Sequence, residues 1–214
     1  MNLSIRAAAR SAIKTLRNRL FPRTDLRRWR DLGNYDHDWD ERTKKIAQLI
    51  APGASVIEFG AGRRQLEAIL PPRCQYIPSD MVSRGPGTIV CDLNSPPFPD
   101  LSGFQIDTAV FGGVLEYVRD LPRLVSWLSG QVRTCIASYE CARSAPRTFA
   151  RLLESFERAR IGWINNYDEA EFRQIFAPFE ASDKVRFSEP DGDGQIFVFR
   201  LARKGRPYEQ RGSN

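Results

Sequence analysis

Apolar residues along this chain follow two rhythms, and the switches between them predict most of its architecture. Short β-branched runs at residues 55–59, 75–77, 88–91, 107–111 and 134–137 alternate with stretches of three-to-four-residue period at 65–70 and 121–128. Runs of about five apolar residues bounded by turn residues suit strands, and their alternation with helices calls for a parallel sheet with crossover connections. Two more helical patterns, at 147–160 and 168–176, precede β-rich runs at 184–187 and 195–201 that flank Pro190-Asp191-Gly192-Asp193-Gly194. So turn-rich a link between two strands predicts a C-terminal antiparallel hairpin. The expected class is therefore α/β, doubly wound and mostly parallel, with helices on both faces of the sheet.

Upstream, Ile5, Ala9, Ile13, Leu16 and Leu20 recur at the period of one helix face, with Arg6, Arg10, Lys14 and Arg17 on its flanks, until Phe21-Pro22 ends the pattern. Another helical pattern covers residues 40–49; it opens on Asp38, Asp40 and Glu41, acids that suit a positive helix N-terminus, and stops at Ala51-Pro52-Gly53. Charge separates this leader from the rest. Residues 1–30 hold nine Lys or Arg and one Asp, a local +8, while the remaining 184 residues sum to −2. A basic amphipathic helix can pack across the domain, lie on anionic lipid or touch nucleic acid. The expected organisation is a basic leader helix at 1–30, one domain at 31–203 and a polar, disordered tail at 204–214.

With 214 residues, 42% of them hydrophobic, the chain can bury one substantial core. No apolar run approaches the roughly 20 residues that span a bilayer, and Arg6, Arg10 and Lys14 interrupt any signal-peptide core. A cytoplasmic protein is expected, with a peripheral contact at the inner face of a membrane as the alternative use of the leader. Cys74, Cys91, Cys135 and Cys141 lack paired zinc-site spacing and read as reduced, buried thiols; the scattered acids give no metal cluster, so no metal is expected.

The candidate chemistry centres on Val56-Ile57-Glu58-Phe59-Gly60-Ala61-Gly62, a carboxylate at the end of the first strand with two glycines in the following turn. Glycine there lets a ligand approach the backbone at the strand's carboxyl end, where open α/β sheets bind ligands. Asp80 ends the next strand pattern, 22 residues after Glu58, where an acid can accept hydrogen bonds from ribose hydroxyls. Asp92 follows the third run, in Ile89-Val90-Cys91-Asp92-Leu93-Asn94, and the fourth run leads into Gly112-Gly113-Val114-Leu115-Glu116-Tyr117.

These landmarks in order resemble the class I, Rossmann-like, S-adenosylmethionine (SAM)-dependent methyltransferases over roughly residues 46–201. The segment at Glu58 is similar to their first motif, an acid followed by Gly-x-Gly-x-Gly, except that Arg64 stands at the third glycine. The resemblance implies a cofactor held by Glu58, Gly60, Ala61, Gly62, Asp80, Met81, Asp92, Leu93 and Gly112. Asp80 would take the ribose, Asp92 the adenine amino group with Leu93 flanking the ring, and Arg63 or Arg64 the cofactor's carboxylate. Gly162-Trp163-Ile164-Asn165-Asn166-Tyr167 followed by Glu171-Phe172 looks like a connection found in small bacterial members.

Methyl transfer from a sulfonium asks an enzyme for alignment, exclusion of water and, for a weakly acidic acceptor, removal of a proton. The candidate bases are Glu116, expected beside the methyl group, and His37, the single histidine, set in Asn34-Tyr35-Asp36-His37-Asp38-Trp39. Tyr35, Trp39, Tyr117, Tyr139 and Trp163 are candidate rim aromatics. No Asn-Pro-Pro-Tyr or Asp-Pro-Pro-Tyr follows the fourth run, which disfavours adenine-N6 methylation. The leading expectation is methyl transfer to a small-molecule or glycan-type acceptor. The alternatives are a non-catalytic scaffold or binding protein on the same fold and a nucleic-acid methyltransferase gripping phosphates with the leader. A nicotinamide oxidoreductase would want a third glycine where Gln65 stands and does not require Asp92.

Overall fold

Side chains along a strand point alternately to opposite faces, so a strand covered on both sides must be apolar at consecutive positions. Ser55–Phe59 is such a strand, buried at all five residues. Ile57 and Phe59 enter one core, while Val56 enters the other. The computed structural model describes residues 26–31, 33, 40–189 and 192–201. In chain order its elements are α1 (Leu26–Arg30), α2 (Asp40–Gln48), β1 (Ser55–Phe59), α3 (Gln65–Ile69), β2 (Gln75–Asp80), β3 (Ile89–Val90), β4 (Thr108–Gly112), a 3₁₀ turn (Leu115–Tyr117), α4 (Leu121–Leu128), β5 (Thr134–Ser138), α5 (Phe149–Ile161), α6 (Glu169–Ile175), β6 (Ala181–Glu189) and β7 (Gly192–Arg200).

The seven strands form one sheet in the order β3-β2-β1-β4-β5-β7-β6. The pairings among β1 to β5 are parallel, whereas β7 runs antiparallel to both β5 and β6. The expected doubly wound, mostly parallel sheet with a C-terminal antiparallel hairpin is present. Helices lie on both faces: α2 and α3 cover Val56, Val110, Ile136, Ile196 and Val198, and α4 and α6 cover Ile57, Phe111, Cys135, Phe197 and Phe199.

Side-chain caps shorten the helices relative to their periodic patterns. Thr148 accepts from the Arg151 amide and starts α5, and Gly162 ends it at φ 98. Asp168 and Glu171 form a reciprocal capping box at α6. The hairpin is longer than its apolar pattern, pairing from Ala181–Arg200 to Glu189–Gly192. β6 is an edge strand, so Ser182 and Asp183 can face solvent without ending it.

The expected leader stripe at residues 5–20 and the tail at 204–214 lie outside the described residues, as do Tyr35, His37 and Trp39. Among the described residues no helix is long and apolar enough to cross a membrane, and no group of three or more His, Cys, Asp or Glu side chains could hold a metal ion. All four cysteines are unpaired; Cys135 and Cys141 are buried, and Cys74 and Cys91 half-buried.

Aromatic packing anchors the hairpin to the parallel sheet. Phe172 of α6 is fully buried, stacks on Tyr139 at 4.2 Å and lies 5.0 Å from each of the Phe176 and Phe197 rings. Emptying so enclosed a site leaves a cavity its neighbours cannot fill. Phe172→Ala should therefore cost about 3–5 kcal/mol, measured as a lower urea midpoint at unchanged slope.

Candidate functional site

Pairing with β2 on one side and β4 on the other fixes the carboxyl end of β1 at the point where strand order reverses. The chain turns there through Gly60 at φ 72 and Gly62 at φ 50, left-handed conformations that cost an L residue with a Cβ about 1–2 kcal/mol. Arg64 adopts the same region, φ 59 and ψ 34, at the position of the missing glycine. Its guanidinium binds Glu67 at 2.9 Å and the Pro86 carbonyl at 3.2 Å, so the turn keeps the glycine geometry without the glycine. A Cβ on Gly60 would stand 2.5 Å from Cγ2 of Val114, which shows that this open face also serves packing between the β1 and β4 turns.

Glu58 is buried beneath this turn and accepts a 2.5 Å hydrogen bond from the Tyr76 hydroxyl of β2. Burial outweighs that bond and pushes its carboxyl up to about 8, with the Asp80 carboxylate adding to the rise. The strand-end acid is thus held as a neutral carboxyl between two strands.

Asp80 ends β2 and is 3% exposed. Its Oδ2 accepts from the Gly62 amide at 2.9 Å, tying the acid to the glycine turn, and from Arg84 Nε at 3.0 Å; Oδ1 accepts a longer 3.3 Å bond from the Val82 amide. The same Arg84 guanidinium donates to the carbonyls of Trp29 and Arg30 at the end of α1. Trp29 is buried and meets Tyr117 edge-on at 5.1 Å, and Arg28 Nη1 donates to Ile161 O at 2.7 Å. α1 therefore straps the carboxyl edge from the end of β2 to the segments after β4 and α5. Arg84 gave no signal in the sequence, because a side chain four residues after Asp80 in a loop belongs to no periodic pattern.

Beyond β3, Asp92 accepts from the Asn94 amide at 2.9 Å and the Ser95 hydroxyl at 3.0 Å, with Leu93 packed on the core. Asn94 in turn bonds Tyr117 O and the Arg119 amide, which joins the β3 and β4 loops. Met81 is half-buried beside Asp80. After β4, Gly112 faces Ile46 of α2, and the Arg42 guanidinium would lie 2.9 Å from a Cβ on Gly113. Glu116 is 4% exposed; one carboxylate oxygen accepts from the Glu140 amide at 2.9 Å, and the other has no hydrogen-bond partner among the described residues. Burial raises its pKa, opposed by that amide and by the charges of Arg42 and Arg158.

One expectation about side chains changes, and two other side chains find a place. Tyr139 is not a rim aromatic: it is 1% exposed, its hydroxyl donates to Asn165 at 2.6 Å and accepts from the Tyr167 amide. Trp163 is half-buried under the Arg158 guanidinium, 4.4 Å from the ring centroid. Asp107 is structural, its carboxylate accepting from the Ser55 amide at 3.0 Å. The sequence also hid the role of Asn165, whose amide donates to Leu115 O and Val118 O and locks the 3₁₀ turn that carries Glu116.

No protein-family model and no curated protein matches the chain. Solved structures do. A candidate O-methyltransferase from Nostoc punctiforme superposes with a TM-score of 0.64 at 14% identity, over 89% of this chain and 66% of its own, so the chain spans less than two thirds of that protein. Human N-acetylserotonin methyltransferase, solved with SAM, gives 0.60 at 11% identity over 94% and 68%. Magnesium protoporphyrin IX methyltransferase from Synechocystis, solved with SAH, gives 0.52 at 18% over 88% and 99%. This chain has the class I methyltransferase fold.

That fold implies SAM, and the side chains present can be set against it. The class I turn is intact at Gly60 and Gly62, and carboxylates stand after β2 and β3 on the same edge. Asp92 accepts from the Asn94 amide and the Ser95 hydroxyl, and a carboxylate is an acceptor-only group of the kind an adenine amino group needs. Asp80 has three donors, one of them Arg84, so its accessible capacity depends on where Arg84 goes. The donor set fits an adenosyl ligand once that arginine moves.

Glu58 also predicts how stability follows pH. Its folded pKa of about 8 lies above the ordinary 4.5, so its contribution is complete below about pH 4.5 and is lost as pH rises towards 8. The slope reaches about 1.4 kcal/mol per pH unit for one proton. Urea unfolding of Glu58→Gln at pH 5, 7 and 9 should show a shallower decline than the wild type.

Proposed function

We propose that this chain transfers a methyl group from SAM to a small-molecule or glycan-type acceptor. The observation that supports this reading most is the convergence, at the β1/β4 switch point, of the Gly60-Ala61-Gly62 turn, Asp80, Asp92 and the Gly112-Gly113 floor. Ligands of open α/β sheets sit at that crevice. The backbone of Gly60, Ala61, Gly62 and Gly112 would line the cofactor, with Glu58 keeping the turn in place. Asp80 would accept from the ribose hydroxyls with Met81 beside it, and Asp92 from the adenine amino group with Leu93 against the ring. When bound, SAM supplies a methyl group on an already activated sulfonium leaving group.

The protein's own tasks are then alignment, exclusion of water and movement of one proton. Glu116 suits the last. Its backbone-held oxygen fixes the carboxylate, its other oxygen is buried without a hydrogen-bond partner among the described residues, and burial moves its pKa upward, as a general base for a hydroxyl requires. His37 is the other candidate base. The body of the chain, at −2 outside residues 1–30, favours a small or neutral acceptor over nucleic acid.

Arg84 must release Asp80 before Oδ2 can serve a ribose hydroxyl, so the two substitutions should act in opposite directions. By calorimetry, Asp80→Ala should weaken SAM binding at least tenfold, about 1.4 kcal/mol, and Arg84→Ala should tighten it. An absence of binding in both the wild type and Arg84→Ala would support instead the non-catalytic scaffold, the reading that the closed Asp80–Arg84 pair favours.

Methyl transfer itself is tested by incubating the chain and labelled SAM with panels of hydroxylated small molecules and glycans. With any acceptor that turns over, Glu116→Gln keeps a group to meet the Glu140 amide but cannot take the proton. It should lower kcat about 10²-fold while leaving the SAM dissociation constant unchanged. Equal loss of cofactor binding would remove Glu116 from the role of base.

A further inference from the structure

The acid that a ribose would need is already taken, and the group that takes it is tied to a separate element. Asp80 and Arg84 form an ion pair at 3.0 Å with side chains only 2% and 4% exposed. The terminal nitrogens of Arg84 reach past the pair to α1, Nη1 donating to Arg30 O at 3.4 Å and Nη2 to Trp29 O. A guanidinium holds its donors in one rigid plane, so turning Nε away from Asp80 also turns the other nitrogens off α1. The Asp80 oxygen that accepts from Arg84 accepts from the Gly62 amide as well. Glycine turn, acid, arginine and α1 thus form one connected series of bonds.

α1 is pinned again on the other side of the site. Trp29 meets the Tyr117 ring edge-on, and Arg28 donates to Ile161 O while lying over the Trp29 ring, 4.6 Å from its centroid. Arg84 follows β2 and Tyr117 follows β4, the two strands that flank β1. Two inter-strand spacings separate those strands by about 9.5 Å, and a five-residue helix is about 7.5 Å long, so α1 has the length to bridge the end of β1. Its hold is slight. Among its described side chains Trp29 alone is buried, which places α1 among the elements that open locally at low cost.

We propose that α1 is an autoinhibitory strap over the nucleoside end of the site. While Arg84 holds Asp80 and α1 together, that end is shut; a ribose whose hydroxyls take the carboxylate displaces Arg84, and α1 is released with it. Binding then requires the open form, so the observed affinity is reduced by the fraction of chains that are open. The tie between Asp80 and α1 stands without SAM, and only the identity of the nucleoside rests on the methyl-transfer reading.

Amide hydrogen exchange across residues 26–31 of the full chain reads the strap directly. Asp80→Asn keeps an acceptor for the Gly62 amide but loses the charge that anchors Arg84. It should speed that exchange at least about tenfold, with β4 and β5 unchanged. Saturating S-adenosylhomocysteine (SAH) should speed the same amides in the wild type. By calorimetry, Arg28→Ala and Trp29→Ala, which leave Asp80 and Arg84 in place, should each tighten SAH at least about threefold, whereas a helix that merely packs would leave the affinity alone. Arg28 is half-buried, so its substitution decides the matter if Asp80→Asn fails to fold. Three results would overturn the strap: unchanged exchange at residues 26–31 in folded Asp80→Asn; slower exchange there with SAH, which would make α1 a lid that closes on its ligand; or SAH bound by the wild type and no more tightly by either variant. No SAH binding by any form, with Asp80→Asn still freeing α1, would support the strap and remove SAM as the ligand.

Discussion

Register between β1 and its two neighbours is the constraint on which the site depends. Phe59 pairs with Ser79 on one side and Phe111 on the other, so the turns after β1 and β4 and the last residue of β2 leave the sheet at one level. A slip of one residue would exchange the two cores, moving Val56 and Val110 into the places of Ile57 and Phe111. Burial on both faces forbids that slip. Gly60, Asp80 and Gly113 are consequently positioned by hydrophobic packing far more than by their own bonds.

Three carboxyl groups are buried at this edge, and the fold handles each differently. Glu58 is held neutral by burial between strands, against the pull of a tyrosine hydroxyl, Asp80 is met by an arginine and two amides, and Glu116 is given one amide and left half-satisfied. Burying a carboxylate without partners is expensive, so the partner set decides which group can stay charged and which can exchange a proton. Of the three, Glu116 alone leaves a fully buried oxygen without a hydrogen-bond partner among the described residues. A fold serving packing alone would gain by removing that carboxyl, which makes its retention beside Gly113 chemically suggestive.

Much of this architecture was legible in the sequence because it follows from short-range rules. The β1 run, the α4 stripe and the helical pattern at 168–176 each announce themselves within a few residues. The glycine turn and the order of the acids likewise placed the carboxyl edge, even with Arg64 where glycine was wanted. What escaped were partners set by tertiary proximity: Arg84 reaching back to α1, Arg42 lying on Gly113, and Asn165 crossing 47 residues to hold Val118. Tyr139 misled for the same reason. Its polar tip suggested a rim, but Asn165 and the Tyr167 amide satisfy the hydroxyl inside the core, so the ring can be fully buried.

The strap formed by α1 links these levels. Arg84 holds Asp80 with one nitrogen and the C-terminal carbonyls of α1 with the others, a favourable place for a cation at a helix end. Any ligand that takes Asp80 from Arg84 also loosens Arg84's hold on Trp29 and Arg30, and anything that draws the leader away loosens its hold on Asp80. The two events share a single guanidinium, so they are thermodynamically coupled whichever comes first.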